Sequence, residues 1–184
     1  YYEAPKDPGA DGVYFYSGNG IPDRMQVNAA ALIFHELVPG HHVHIARQQE
    51  NEALPEMRRS TFDFTAFNEG WAEYASGLGG EAGLLDNPYD YYGFLSHQRF
   101  VAQRLVVDTG LNALGWTLEQ AHAYMSANTL EKPEQVTSEI LRYSTDLPGQ
   151  ALCYRWGVLK FLELRARAEA ALGAKFDLAD FHEA

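Results

Sequence analysis

The chain has 184 residues, enough for one domain with a substantial core, and its 46% apolar and 21% charged content is that of an ordinary globular protein. A net charge of −11 argues against nucleic acid or an anionic membrane as partner, since both require a basic face. No apolar run approaches the roughly 20 residues of a membrane span, and the lone Cys153 cannot close an internal disulfide.

Residues 1–24 are rich in Pro, Gly, Asp and Asn, and within them Val13-Tyr14-Phe15-Tyr16, between Gly12 and Gly18, is the one convincing strand. From about Val27 the apolar residues Ala29, Ala30, Leu32, Ile33, Phe34 and Leu37 cover much of a cylinder, which predicts a largely buried helix. A second helix is expected from about Thr61 to Leu78, stopped by Gly79-Gly80, and a third from about Tyr91 to Thr109, stopped by Gly110. Thr117 and Gln120 have the spacing of a capping box for a helix to about Asn128. Pro133 opens another, to about Tyr143. After the turn Asp146-Leu147-Pro148-Gly149 the longest helix runs from about Gln150 to Leu172 and closes at Gly173. The expected architecture is mostly α: a single domain over residues 1–184, a compact bundle of six or seven helices with a small β element near the amino end. The chain starts at Tyr1 without Met and reads as part of a longer polypeptide, so its compartment is left open.

Four of the seven histidines lie within ten residues, in His35-Glu36-Leu37-Val38-Pro39-Gly40-His41-His42-Val43-His44. Histidine followed by glutamate, with further histidines about a turn on, is the material of a hydrolytic zinc site. The imidazoles hold the ion and the carboxylate takes a proton from water. The usual HExxH spacing puts both histidines on one helix face, but here the position four after His35 is Pro39. On a straight helix His41, six residues on, would point roughly 120° away, and His42, seven on, would sit roughly 10 Å up the axis. Proline removes a donor and clashes with the carbonyl four residues back, that of His35. A turn broken at Pro39-Gly40 would absorb the two extra residues and bring His41 to the second ligand position, with His42 as the alternative. His44, beyond the break, is expected near the ligands or at the surface.

A third ligand is expected from Phe67-Asn68-Glu69-Gly70-Trp71-Ala72-Glu73-Tyr74, where Glu69 and Glu73 share a face opposite a packing stripe of Phe67, Trp71, Tyr74 and Leu78. Like charges at that spacing repel by a few tenths of a kcal/mol, and a nearby cation would reverse the sign. Glu69 is the candidate ligand, and Glu73 the candidate for orienting an imidazole.

Taken together, these motifs resemble the bacterial family catalogued as domain of unknown function 885, whose members resemble metallopeptidases. The resemblance continues through Arg104-Leu105-Val106-Val107-Asp108-Thr109-Gly110, Arg142-Tyr143, Pro148-Gly149-Gln150-Ala151, Phe176-Asp177 and Phe181-His182. Members of that family are considerably longer, which implies that this is a carboxy-terminal, site-bearing portion. The second motif is also similar to the Asn-Glu-Gly segment of thermolysin-like and aminopeptidase-type zinc enzymes. That similarity implies Glu69, rather than Glu73, as third ligand of a zincin-like site on two helices. The chain departs from the family pattern at Asn112, where a histidine is expected.

The expected function is a zinc-dependent metallopeptidase of short peptides, with Zn2+ on His35, His41 and Glu69 and Glu36 as general base. Tyr143 or Tyr154, flanking the Asp146–Gln150 turn, would stabilise the oxyanion, unless both only pack. Arg104 or Arg142 would bind a substrate carboxylate, unless Arg104 simply pairs with Asp108. The alternatives are a metal-dependent hydrolase of a non-peptide amide or ester, and an inactive metal-binding homologue.

Overall fold

The computed structural model describes residues 2–5, 10–16, 18, 26–60 and 64–183. Strand β1 (Tyr2–Glu3) pairs antiparallel with β2 (Val13–Tyr14), Tyr2 opposite Tyr14. The helices are α1 (Ala29–Glu36), α2 (His41–Glu50), α3 (Glu56–Ser60), α4 (Thr65–Glu81), α5 (Pro88–Ala113), α6 (Leu118–Asn128), α7 (Pro133–Leu141), α8 (Gln150–Leu172) and α9 (Leu178–Glu183). The fold is mostly α, as expected. Among the described residues seven helices have eight or more residues, and α3 and α9 are short additions.

Several boundaries follow local chemistry. The Thr117–Gln120 capping box is formed in both directions at the start of α6. Pro88 and Pro133 occupy first-turn positions of α5 and α7, where a missing N–H costs nothing. Gly173 closes α8 at φ +53°. The expected start of the second helix at Thr61 lies outside the described residues.

Two expected stops are corrected. Gly79-Gly80 lies inside α4, because the bare Cα of Gly79 takes the ring of Phe34 from α1; an added Cβ would sit 2.6 Å from that ring. Gly110 lies inside α5 for the same reason, under the ring of Trp116. The left-handed turns come later, at Gly83 and Gly115. Helix α7 ends at Leu141, and residues Arg142–Asp146 continue as a π-turn whose Leu147 N–H donates to the Arg142 carbonyl at 2.8 Å.

The main core lies among α5, α6, α7 and α8, around Phe100, Val101, Val107, Met125, Val136, Ile140, Tyr143 and Tyr154. Helix α4 lies on α8 with backbone against backbone: an added Cβ on Gly70 would stand 2.6 Å from the Cα of Gly157. That approach places Glu69 of α4 near Tyr154 of α8. No described helix is long and apolar enough to cross a membrane.

Candidate metal centre

Helix α1 ends on the His35-Glu36 pair. The next four residues leave the helix, the Val38–Pro39 peptide is cis, and a new helix starts at His41. Gly40 is buried so tightly that a Cβ there would lie 1.8 Å from the carbonyl oxygen of His35, so nothing larger fits the turn. The indole N–H of Trp71 donates to the Pro39 carbonyl at 3.0 Å and ties the break to α4, two residues beyond Glu69. The three candidate ligands thus come from three helices rather than the two expected.

The break brings His35 and His41 together, with ring centroids 4.8 Å apart and planes nearly perpendicular. Oε2 of Glu69 lies 3.4 Å from His35 Nε2 and 3.3 Å from His41 Nε2. This oxygen is buried and has no hydrogen-bond partner. Donors about 2.1 Å from a four-coordinate zinc stand about 3.4 Å from one another, so both of these separations suit one ion. On the far side of the ring, His35 Nδ1 faces Glu73 Oε1 at 3.2 Å, an arrangement that aims Nε2 at the cluster. Glu73 is itself held by His97 Nε2 at 2.9 Å and Gln98 Nε2 at 2.7 Å.

Electrostatics reflect this crowding. Burial disfavours a charged His35, but the flanking Glu69 and Glu73 outweigh it and push its pKa up to about 10. Burial alone would raise Glu69, yet His35 and His41 bring it down to about 2. Glu73 is likewise held well below the carboxylate range, against its burial, by His97 and His35. Glu69 and Glu73 thus favour a positively charged His35 between them.

His35, His41 and Glu69 open onto a cleft of about 340 Å3 that is also lined by Glu36, His97, Arg104, Arg142 and Tyr154. Tyr154 stacks on His35, with centroids 6.3 Å apart and planes 12° from parallel. Its hydroxyl accepts hydrogen bonds from Gln150 Nε2 and Arg142 Nη2 at 3.2 and 3.3 Å.

Three placements differ from the sequence reading. Tyr143 does not line the cleft; it is 1% exposed and its hydroxyl donates to Glu139, because the π-turn directs it into the core. His42 turns away from the cluster, its Nδ1 2.8 Å from the Tyr2 hydroxyl. Arg104 pairs with Glu139 at 3.0 Å, not with Asp108, which accepts the Gly149 N–H at 2.9 Å. His44 sits half-buried against Phe67, and burial with the neighbouring His41 charge lowers its pKa to about 4. His97 was missed, and a lone histidine 24 residues from Glu73 carries no local signal. Asn112 bonds the Asp108 side chain and the Tyr143 carbonyl.

The model of bacterial proteins of unknown function (DUF885) matches residues 1–184, and the chain belongs to that family. Among solved structures the chain is similar to a "putative lipoprotein" from Colwellia psychrerythraea, at 45% identity and a TM-score of 0.82 over 86% of this chain and 27% of that one. A protein from Shewanella oneidensis, described in the same words and as of unknown function, shares the fold at 24% identity and a TM-score of 0.82, over 97% of this chain and 34% of that one. The chain therefore spans about a quarter to a third of the length of these relatives. No match was found among curated proteins.

Proposed function

We propose that the chain forms the catalytic, metal-binding part of a zinc-dependent peptidase that acts on short peptides. One observation carries this reading: the buried, unbonded Oε2 of Glu69 lies 3.4 and 3.3 Å from the Nε2 atoms of His35 and His41. A buried carboxylate oxygen whose near neighbours are two imidazole nitrogens is costly once those rings are neutral, and a cation shared with them removes that cost. Structural zinc sites usually fill four positions with Cys and His. This cluster offers three donors of mixed type and faces a cleft.

Zinc held there by His35, His41 and Glu69 would supply Lewis acidity and bring the pKa of a water toward about 7. Glu36 follows His35 in the chain and lines the same cleft. It takes the proton of the attacking water and returns it to the leaving nitrogen. Glu73 is a positioning residue: its Oε1 stands 3.2 Å from His35 Nδ1 and favours a proton on that nitrogen, which leaves Nε2 for the metal. Both lone pairs of the Tyr154 hydroxyl are engaged by Arg142 and Gln150, which leaves its own hydrogen to donate to a developing oxyanion.

The test compares the zinc-loaded chain with its Glu36→Gln variant on a panel of short peptides. The variant should bind zinc with unchanged stoichiometry and lose about 100-fold or more in hydrolysis. Equal turnover by the two would remove Glu36 as the base. Turnover of esters or other amides with no peptide cleavage would reassign the reaction, and zinc binding with no hydrolysis of any of them would make the chain a binding module.

A further inference from the structure

The wall of the cleft beside the imidazoles runs against the chain's overall charge. In a protein of net charge −11, two arginines, Arg104 and Arg142, line the same cavity. They share one carboxylate, Glu139, whose oxygens lie 3.0 Å from Arg104 Nη2 and 3.8 Å from Arg142 Nη1. Glu139 already accepts from Tyr143 and Gln135. Glu73 and Glu131 are the other acids that act on Arg104, and burial together with Glu139 raises the pKa of Glu131. Glu139 is thus spent chiefly on Arg104, at 3.0 Å, and meets Arg142 only at 3.8 Å.

The two arginines are held differently. Arg104 is 7% exposed and clamped between the rings of Phe100 and Tyr154, its Cζ 4.6 Å from each centroid. Its Nε is buried without a hydrogen-bond partner. The Arg142 side chain keeps 31% exposure, and its Nη2 is fixed by Gln150 Oε1 at 2.9 Å and the Tyr154 hydroxyl at 3.3 Å. A guanidinium held at one corner and partly open to a cleft is pre-set for a planar, two-oxygen anion. It bonds the hydroxyl at the tip of the Tyr154 ring, and that ring stacks on His35.

We infer that Arg142, backed by Arg104, is a carboxylate-binding subsite, and that the substrates are short peptides held by their carboxy-terminal carboxylate and cut close to that end. This rests on the peptidase reading for the bond that is cut, but not for the binding. One residue spans about 3.5 Å of extended chain. Arg142 and the cluster line one cleft, so a terminal carboxylate held at Arg142 leaves the last bonds of the peptide beside the cluster. An acidic side chain near the cut bond would offer the same chemistry from another source.

Three probes distinguish the sources: N-acetyl-Ala-Ala-Phe as the free acid, the same peptide as its carboxamide, and a carboxamide with Glu in place of Phe. Binding to the zinc-free chain is read by calorimetry and kcat/KM by the zinc-loaded chain. The free acid should exceed its carboxamide by about tenfold or more in both. Arg142→Gln should bring that ratio to within about twofold of unity, and Arg142→Lys should fall between, since a point charge lacks the fork. A Glu carboxamide that matches the free acid would assign the side chain as the source of the carboxylate. Equal binding and cleavage of acid and carboxamide by the parent chain overturns the inference, whatever the variants do, and leaves the peptidase reading standing. Acid-selective binding with no cleavage does the reverse.

Discussion

Zinc uptake by the metal-free chain should expel a proton. Imidazole ligates a metal only when neutral. In the metal-free protein burial opposes charge on His35, but Glu69 and Glu73 prevail and lift its pKa to about 10. Glu69 is already ionised, with a pKa near 2, and has no proton to give. At pH 8 His35 is almost fully protonated, so loading the site must release close to one proton from this residue. At pH 7 the pKa of about 10 lies three units above the solution, and deprotonation subtracts about 4 kcal/mol from the intrinsic affinity. Apparent affinity should therefore climb about tenfold per unit between pH 7 and 9. Titration calorimetry in two buffers of different ionisation enthalpy counts the protons. A proton count near zero with flat affinity across that range would refute this account of His35. The same shifts set the stability of the metal-free chain. His35, raised from 6.5, contributes fully below pH 6.5 and loses its contribution as pH rises through about 10. Glu69, lowered from 4.5, contributes fully above pH 4.5 and loses it as pH falls toward about 2.

Three further outcomes are expected. Glu73→Gln keeps the shape but removes one of the two carboxylates that raise the His35 pKa, so the climb of zinc affinity between pH 7 and 9 should flatten in competition with a chromophoric chelator; an unchanged slope would deny Glu73 its hold on His35. Gly70→Ala forces a methyl to within 2.6 Å of the Gly157 backbone, an overpacking penalty of about 1–3 kcal/mol against about 1 kcal/mol of gained helix propensity. A higher melting temperature in that variant would contradict the backbone contact. Tyr143→Phe removes one buried hydrogen bond to Glu139 and should cost about 1 kcal/mol in denaturant unfolding, with hydrolysis and zinc affinity retained; loss of hydrolysis would return Tyr143 to the reacting groups.

What could be read from the chain was local. The His35-Glu36 pair, the Pro39-Gly40 break and the Glu69/Glu73 spacing each lie within a few residues, and each was visible as a pattern. The helix ends marked by capping chemistry, at Thr117, Pro133 and Gly173, fell where expected. The glycines misled because the same residue serves two ends. Gly79 and Gly110 admit a neighbouring ring, whereas Gly83 and Gly115 turn the chain, and only the partner's position distinguishes them. The clasp of Glu73 by His97 and the pairing of Arg104 with Glu139 join residues 24 and 35 positions apart, so composition could not signal them. Tyr143 and Tyr154 looked equivalent beside one turn. The extra residue in the π-turn turns the first into the core, and the second remains at the cleft.

Where Gly70 meets Gly157 there is no layer of side chains to compress or re-pack, and close-packed backbones resist being pried apart. Helices α4 and α8 must then travel as one plate, with Glu69 and Tyr154 fixed to the same piece. Helix α1 and the break are tied to that same piece through Phe34 on Gly79 and Trp71 on Pro39, so any widening that admits a bulky guest has to come from the Tyr2 strand latched to His42. Motion, if it is measured, belongs on that side.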